Sequence, residues 1–294
     1  MAALGLLALA PGETAKAADM AAGDKGAADK SQYTLFNPTP ERLLREFTTD
    51  RPDMTESAFT VDAGHIQFET NIFGFTRSRP DAGGTVTDTY GFGETNVRIG
   101  LTNQSELDLI WQPYGIVQTR PSDPQIDPTR SAGISGLTVR SKINLWGNDS
   151  YEKPGATALG LLPYVTLPTD RGNGISNDAV EGGFILPFSI KLTDKFDLGL
   201  NAGLDMLHND DTSGYHPEYF ASASLSYDWT EQFSTYYEVA GRTGTHDPRG
   251  DILILATGFT YQFAKNMEFD AGVNFGVTAA ADPINPFVGF SARF

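Results

Sequence analysis

The sequence predicts an all-β fold: a transmembrane antiparallel up-and-down β-barrel of about 12 strands, preceded by an N-terminal extension that carries a short helix. Three observations predict it. Apolar and polar residues alternate with period two from residue 64 almost to the end, as expected of strands with one face toward lipid or core and one toward water. Connections between these segments alternate between short turns and longer loops rich in Gly, Pro, Asp and His. The chain ends on Phe294, with Gly289 five residues before it, a pattern expected of a C-terminal signal read by barrel assembly machinery.

Composition agrees. In 294 residues there are 31 Gly and 11% aromatics but only 20% charged residues, and no cysteine, which excludes disulfide frameworks, thiolate metal sites and cysteine nucleophiles. Asp and Glu number 37 against 21 Lys and Arg, a net charge of −16 that repels phosphate backbones and argues against nucleic acid as a partner. No run approaches the roughly 20 apolar residues of a transmembrane helix.

Residues 1–17 read as an export signal: a short apolar run, Ala2 to Ala10, precedes Ala15-Lys16-Ala17, which fits a small-x-small cleavage site. Residues 18–36 are mostly Ala, Gly, Asp and Lys and read as a flexible linker. Residues 37–63 form the expected periplasmic extension. Within it Thr39 is suited to cap a helix, Pro40 to its first position and Glu41 to its positive end, predicting a short helix that ends near Phe47.

The barrel is assigned to residues 64–294. Its first strand follows from Ile66, Phe68, Thr70 and Ile72 alternating with Gln67, Glu69 and Asn71. Alternation continues through residues 94–101, 106–112 and 137–145, where Leu and Val oppose Glu94, Arg98, Glu106, Asp108, Arg140 and Lys142, although Ile110 breaks the polar face. Residues 157–167 are apolar on both faces and 184–192 contain Pro187, so these two strands are weaker. The remaining segments, 196–205, 221–229, 233–242, 253–263, 267–277 and 287–294, alternate cleanly. Short turns are expected at 102–105, 193–195, 230–232 and 264–266, and loops at 78–88, 115–132, 168–179, 208–218, 243–250 and 279–286. Aromatics beside the short turns (Tyr227, Trp229, Phe233, Tyr261, Phe263, Phe269) suit an interfacial girdle. A soluble β-sandwich also alternates, but its polar face meets bulk water and carries more Lys and Glu than the Ser, Gly and Asn found here.

Thr49-Asp-Arg-Pro-Asp-Met-Thr-Glu-Ser57 and Phe59-Thr-Val-Asp-Ala-Gly-His-Ile-Gln-Phe-Glu69 together resemble the opening of the outer-membrane transporter family labelled "MetA-pathway of phenol degradation". The resemblance continues through Gly136–Lys142, Leu162–Pro168 and Phe287–Phe294. It implies an exported barrel in the outer membrane that passes aromatic or other small organic compounds, and it brings no catalytic, cofactor or binding residues with it.

The candidate pore-lining residues are Glu69, Glu94, Arg98, Glu106, Asp108, Arg140, Lys142, Glu238 and Arg242. Their charges have two readings: internal ion pairs that satisfy buried groups, or a field that selects solutes at a constriction. Asp50, Arg51, Asp53 and Glu56, just upstream of the first strand, form a candidate plug that folds into the periplasmic mouth and pairs with lumen charges. Expected partners are outer-membrane lipid, the assembly machinery and a small organic solute, with the long loops extracellular and both termini periplasmic. Two other functions compete with this reading. A barrel hydrolase resembling outer-membrane phospholipase needs a His and a Ser in reach, and none of the four histidines has an obvious partner at strand spacing. A structural or adhesive barrel predicts no conductance. The loop residues His208, Asp210, Asp211, His216, His246 and Asp247 read as solvated rather than as metal ligands.

Overall fold

The computed structural model describes residues 29–294, apart from 170–171, 173–174, 176–177 and 210–212. Fourteen strand segments run in chain order: β1 (Ile66–Arg77), β2 (Val86–Thr102), β3 (Ser105–Trp111), β4 (Tyr114–Arg120), β5 (Thr129–Gly133), β6 (Leu137–Trp146), β7 (Thr157–Leu167), β8 (Glu181–Lys191), β9 (Phe196–His208), β10 (Tyr215–Asp228), β11 (Phe233–Thr243), β12 (Ile252–Ala264), β13 (Met267–Gly276) and β14 (Asn285–Arg293). Every pairing is antiparallel, and β1 closes the wall by pairing with both β14 (Gln67 opposite Arg293) and β2 (Ile66 opposite Ile99). Closure leaves β1 with no free edge, which is how a sheet satisfies its backbone in lipid.

The fourteen segments make twelve staves. β3 and β4 both pair with β2, and β4 pairs with β5 while β3 pairs with β6, so each couple is one stave broken in the middle. The break falls at Gln112-Pro113 and Ile134–Gly136. Pro113 has no N–H to offer a neighbour, and Gln112 and Ser135 stitch the gap instead: Gln112 N donates to Ser135 Oγ at 2.8 Å and Ser135 N to the Gln112 carbonyl at 3.0 Å. This corrects the loop expected over 115–132. Its flanks are strands, because Tyr114–Arg120 finds a partner in the upper half of the 17-residue β2, a pairing that local composition does not announce.

The polarity of the wall is inverted relative to a soluble protein. Arg98 is 1% exposed and Glu106 and Lys142 are fully buried, all facing inward, whereas Phe259, near the middle of β12, is 40% exposed on the outer face. Alternation therefore sorts charge to the lumen and apolar groups to lipid. Aromatics gather outside the end that carries the short turns: Phe263 stacks on Phe269 at 5.1 Å, Phe269 packs on Phe290 at 5.2 Å, and Tyr227 meets Trp229 edge-on at 4.9 Å. Phe294 lies at the same end, edge-on to Phe68, with its N–H and carbonyl paired to Ile66.

The expected helix at 40–47 is a single 3-10 turn, Glu41–Leu43. No side chain caps it, and Leu44 is already extended. Tertiary contacts explain the early stop: the Arg45 N–H donates to Asp62 Oδ2 at 2.9 Å and its guanidinium to Asn103, Asp149 and the Thr60 carbonyl, contacts that outweigh the cost-laden second turn of an isolated helix. Before this turn, Thr34 bridges to Thr102 at the end of β2. After it, the chain enters the barrel. It passes so close to β2 that a Cβ on Gly100 falls 2.1 Å from the Asp62 carbonyl oxygen, so only glycine fits there.

Candidate functional site: a charged lumen crossed by the N-terminal segment

Residues 49–63 run through the lumen and bond to the inward residues of most of the wall. Asp50 is the hub. Its carboxylate lies 2.5 Å from Lys142 Nζ, 3.2 Å from Arg140 and 3.3 Å from Arg98, and it accepts from Ser57 Oγ at 2.7 Å. Burial opposes its charge, but Arg98, Lys142 and Arg140 together outweigh burial and hold the carboxyl far below the ordinary range. The neighbouring staves complete the cluster. Arg98 reaches Glu69 at 2.7 Å and Glu106 at 2.8 Å, while Arg140 reaches Asp108 at 2.7 Å and also pairs with Glu56. The Val61 N–H donates to Glu106.

On the opposite wall the contacts change character. Arg51 makes a two-pronged pair with Asp270 at 2.7 and 3.1 Å and lies across Phe287. Beyond it the acids are met by neutral donors: Glu238 accepts from the Met54 N–H at 2.9 Å and Thr55 Oγ1 at 2.6 Å, and Glu268 from Thr49 Oγ1 at 2.8 Å. Burial, with Glu238 alongside, pushes the Asp53 carboxyl well above its ordinary range. Burial likewise pushes Glu56 up to about 7, against the pull of Arg140.

The structure thus brings Asp50, Arg51, Glu56, Glu69, Arg98, Glu106, Asp108, Arg140 and Lys142 into one network, and sets Asp53 beside Glu238. It separates two residues from them. Glu94 is exposed to a cavity of about 250 Å³ at the break in the wall, lined also by Ile110, Trp111, Thr138 and Thr166. Arg242 lies toward the loop end, paired with Asp205 at 2.5 Å and Glu218 at 2.9 Å. Gly289 faces inward beneath Arg51: a Cβ there would lie 2.2 Å from the guanidinium. The sequence pattern around Phe294 does not reveal that second demand on the glycine.

Between the segment and the loop end is a cavity of about 420 Å³. Ile110, Ile185, Phe220, Ile252, Ile254 and Met54 supply its apolar wall; Arg140, Tyr164, Asp205 and Arg242 supply its polar groups. Sequence reasoning missed this cavity. Its visible traces are Ile110 and Ile254 on otherwise polar faces; the cavity's apolar residues come from strands far apart in the chain.

The histidines serve as local braces. The ring nitrogens of His65 lie 2.8 and 3.1 Å from the carbonyls of Thr39 and Phe294, one of which accepts from the ring N–H, and His216 bonds to Asn209 at 2.7 Å while stacking on His246 at 3.7 Å. Asp247 pairs with Arg249. Asp210 and Asp211 lie outside the described residues, as do residues 1–28 with the expected export signal.

A closed twelve-stave barrel with a lipid-compatible exterior and a charged interior is a transmembrane β-barrel. The sequence profile of the family described as "Putative MetA-pathway of phenol degradation" matches residues 49–294, and the chain belongs to that family. The fold is similar to that of the COG4313 outer membrane channel from Pseudomonas putida F1, at 11% identity over 84% of this chain and 100% of that one, with a TM-score of 0.61. It is also similar to the transport unit of the autotransporter AIDA-I from Escherichia coli, at 11% identity over 84% of this chain and 94% of that one, with a TM-score of 0.50. No curated protein sequence matches the chain.

Proposed function

We propose that this protein is an outer-membrane channel for the passive passage of small organic solutes, aromatic compounds among them, through a narrow charged lumen. The 420 Å³ lumen cavity carries the reading. An inward face that only conducted water and ions has no use for Phe220 and four isoleucines; apolar walls with a few polar groups suit organic molecules. The solute crosses without covalent chemistry. In this reading the long loops are extracellular, both termini are periplasmic, an export signal at 1–17 and a linker at 18–36 precede the extension, and residues 49–63 act as a plug across the barrel of residues 64–294. Gly289 and Phe294 contribute to the signal read by the assembly machinery, and outer-membrane lipid meets the apolar stripe.

Filling the cavity tests this. Cells producing wild-type protein are expected to take up phenol and benzyl alcohol faster than cells lacking it, and Ile185→Trp with Ile254→Trp is expected to remove most of that gain while heat-modifiable migration shows a folded barrel. Uptake unaltered by the filled cavity refutes the reading, and absence of any gain from the wild type favours a structural role.

A further inference from the structure

We propose that the lumen discriminates by charge, admitting cations and neutral solutes and excluding anions, small organic carboxylates included. This rests on the channel reading and adds the sign of its selectivity.

The argument starts from how the lumen cations are occupied. Arg98 spends Nε on Glu106 at 2.9 Å, Nη1 on Glu69 at 2.7 Å and Nη2 on the Phe59 carbonyl at 2.8 Å. Arg140 gives its three nitrogens to Asp108, Asp50 and Glu56. Arg51 is forked onto Asp270, and Arg242 holds two carboxylates at once. Lys142 lies between Asp50 and Glu106. An anion reaching the Asp50 cluster finds all three nitrogens of Arg98 and of Arg140 already bonded, and to bind there it must displace a carboxylate that is buried and paired.

Around the segment the carboxylates are in excess, whereas at the far end of β1 Arg77 and Arg120 share Asp88 alone. Arg51, Arg98, Arg140 and Lys142 are matched by Asp50, Glu56, Glu69, Glu106, Asp108 and Asp270, so acids outnumber bases even with Glu56 half-protonated near neutrality. Arg242 is outnumbered in the same way by Asp205 and Glu218. Beyond these pairs Glu94 faces inward with no Lys or Arg ion pair among the described residues and is open to its cavity. Low-dielectric walls around a net negative lining focus its field on the path. A potential of only about one thermal unit enriches cations and depletes anions to a ratio of about sevenfold.

The test uses the purified full-length protein in planar bilayers, with the zero-current voltage read in a tenfold gradient of KCl and again of potassium benzoate. The expected permeability ratio of potassium over either anion is about sevenfold or more, and Glu94→Lys is expected to lower it at least twofold in a barrel that still conducts. A conducting wild type with a ratio of one or below, or a ratio that Glu94→Lys leaves unchanged, overturns the proposal while sparing the channel reading. Absence of conductance in correctly folded protein overturns both.

Discussion

Replacing Asp50 by Asn removes one charge from the point where the N-terminal segment meets three wall cations, at 2.5, 3.2 and 3.3 Å. The substitution keeps shape and an acceptor for Ser57 and Lys142, and it replaces the oxygen facing Arg98 and Arg140 with an N–H donor, so both charge and acceptor are lost on that side. Removing one partner of a buried ion pair costs about 3–5 kcal/mol, and because Glu69, Glu106 and Asp108 still face the same cations the lower end applies, about 3 kcal/mol. That loss falls on docking of residues 49–63 rather than on strand pairing, and shifts the docked-to-released ratio by roughly a hundredfold. Hydrogen exchange of the folded protein is the assay. Amides that lean on wall carboxylates, such as those of Met54 and Val61, are expected to lose protection while strand amides in β10–β13 keep theirs. Single-channel conductance is expected to rise in parallel. Unchanged protection over 49–63 in an intact barrel would refute the idea that Asp50 fastens the segment.

Two further outcomes follow from the same geometry. Gly289→Leu places a side chain where the Arg51 guanidinium sits, so it is expected to break the Arg51–Asp270 pair and loosen residues 49–52 by hydrogen exchange, whereas equal protection in the variant shows that the glycine is not needed for that contact. For pH, the docked segment holds the Glu56 proton more tightly than the released one, because burial raises its pKa from 4.5 to about 7; docking is therefore firmest below about 4.5, weakens as pH rises to about 7 and then levels. Asp53, raised by burial and by Glu238, acts in the same direction, while Asp50, held low, loses its contribution only in stronger acid. Protection of residues 49–63, corrected for intrinsic exchange, is expected to be lower at pH 8 than at pH 5, and the difference to shrink in Glu56→Gln; the opposite slope contradicts the assignment.

What the sequence by itself determined is what period two can encode: which residues face lipid, which face the lumen, and where the short turns, though not every long loop, divide the strands. Alternation is a local property, so Gln67, Glu69, Arg98 and Lys142 could be assigned inward from their neighbours alone. The acidic and basic residues of 50–56 also announced themselves, as charges beside a barrel mouth that needs partners. Only the tertiary structure decided who pairs with whom. Asp50 meets Lys142 across 92 residues of chain, and Arg51 meets Asp270 across 219, because barrel closure sets these distances and no local pattern records them. The same holds for the lost helix at 40–47, where Thr39, Pro40 and Glu41 suit a helix start but no side chain caps it and Arg45 is claimed by Asp62, and for the apolar cavity, assembled from single residues on many staves. Local chemistry writes the faces of each strand; the closed sheet, by bringing distant faces into one enclosed volume, decides what the lumen can hold.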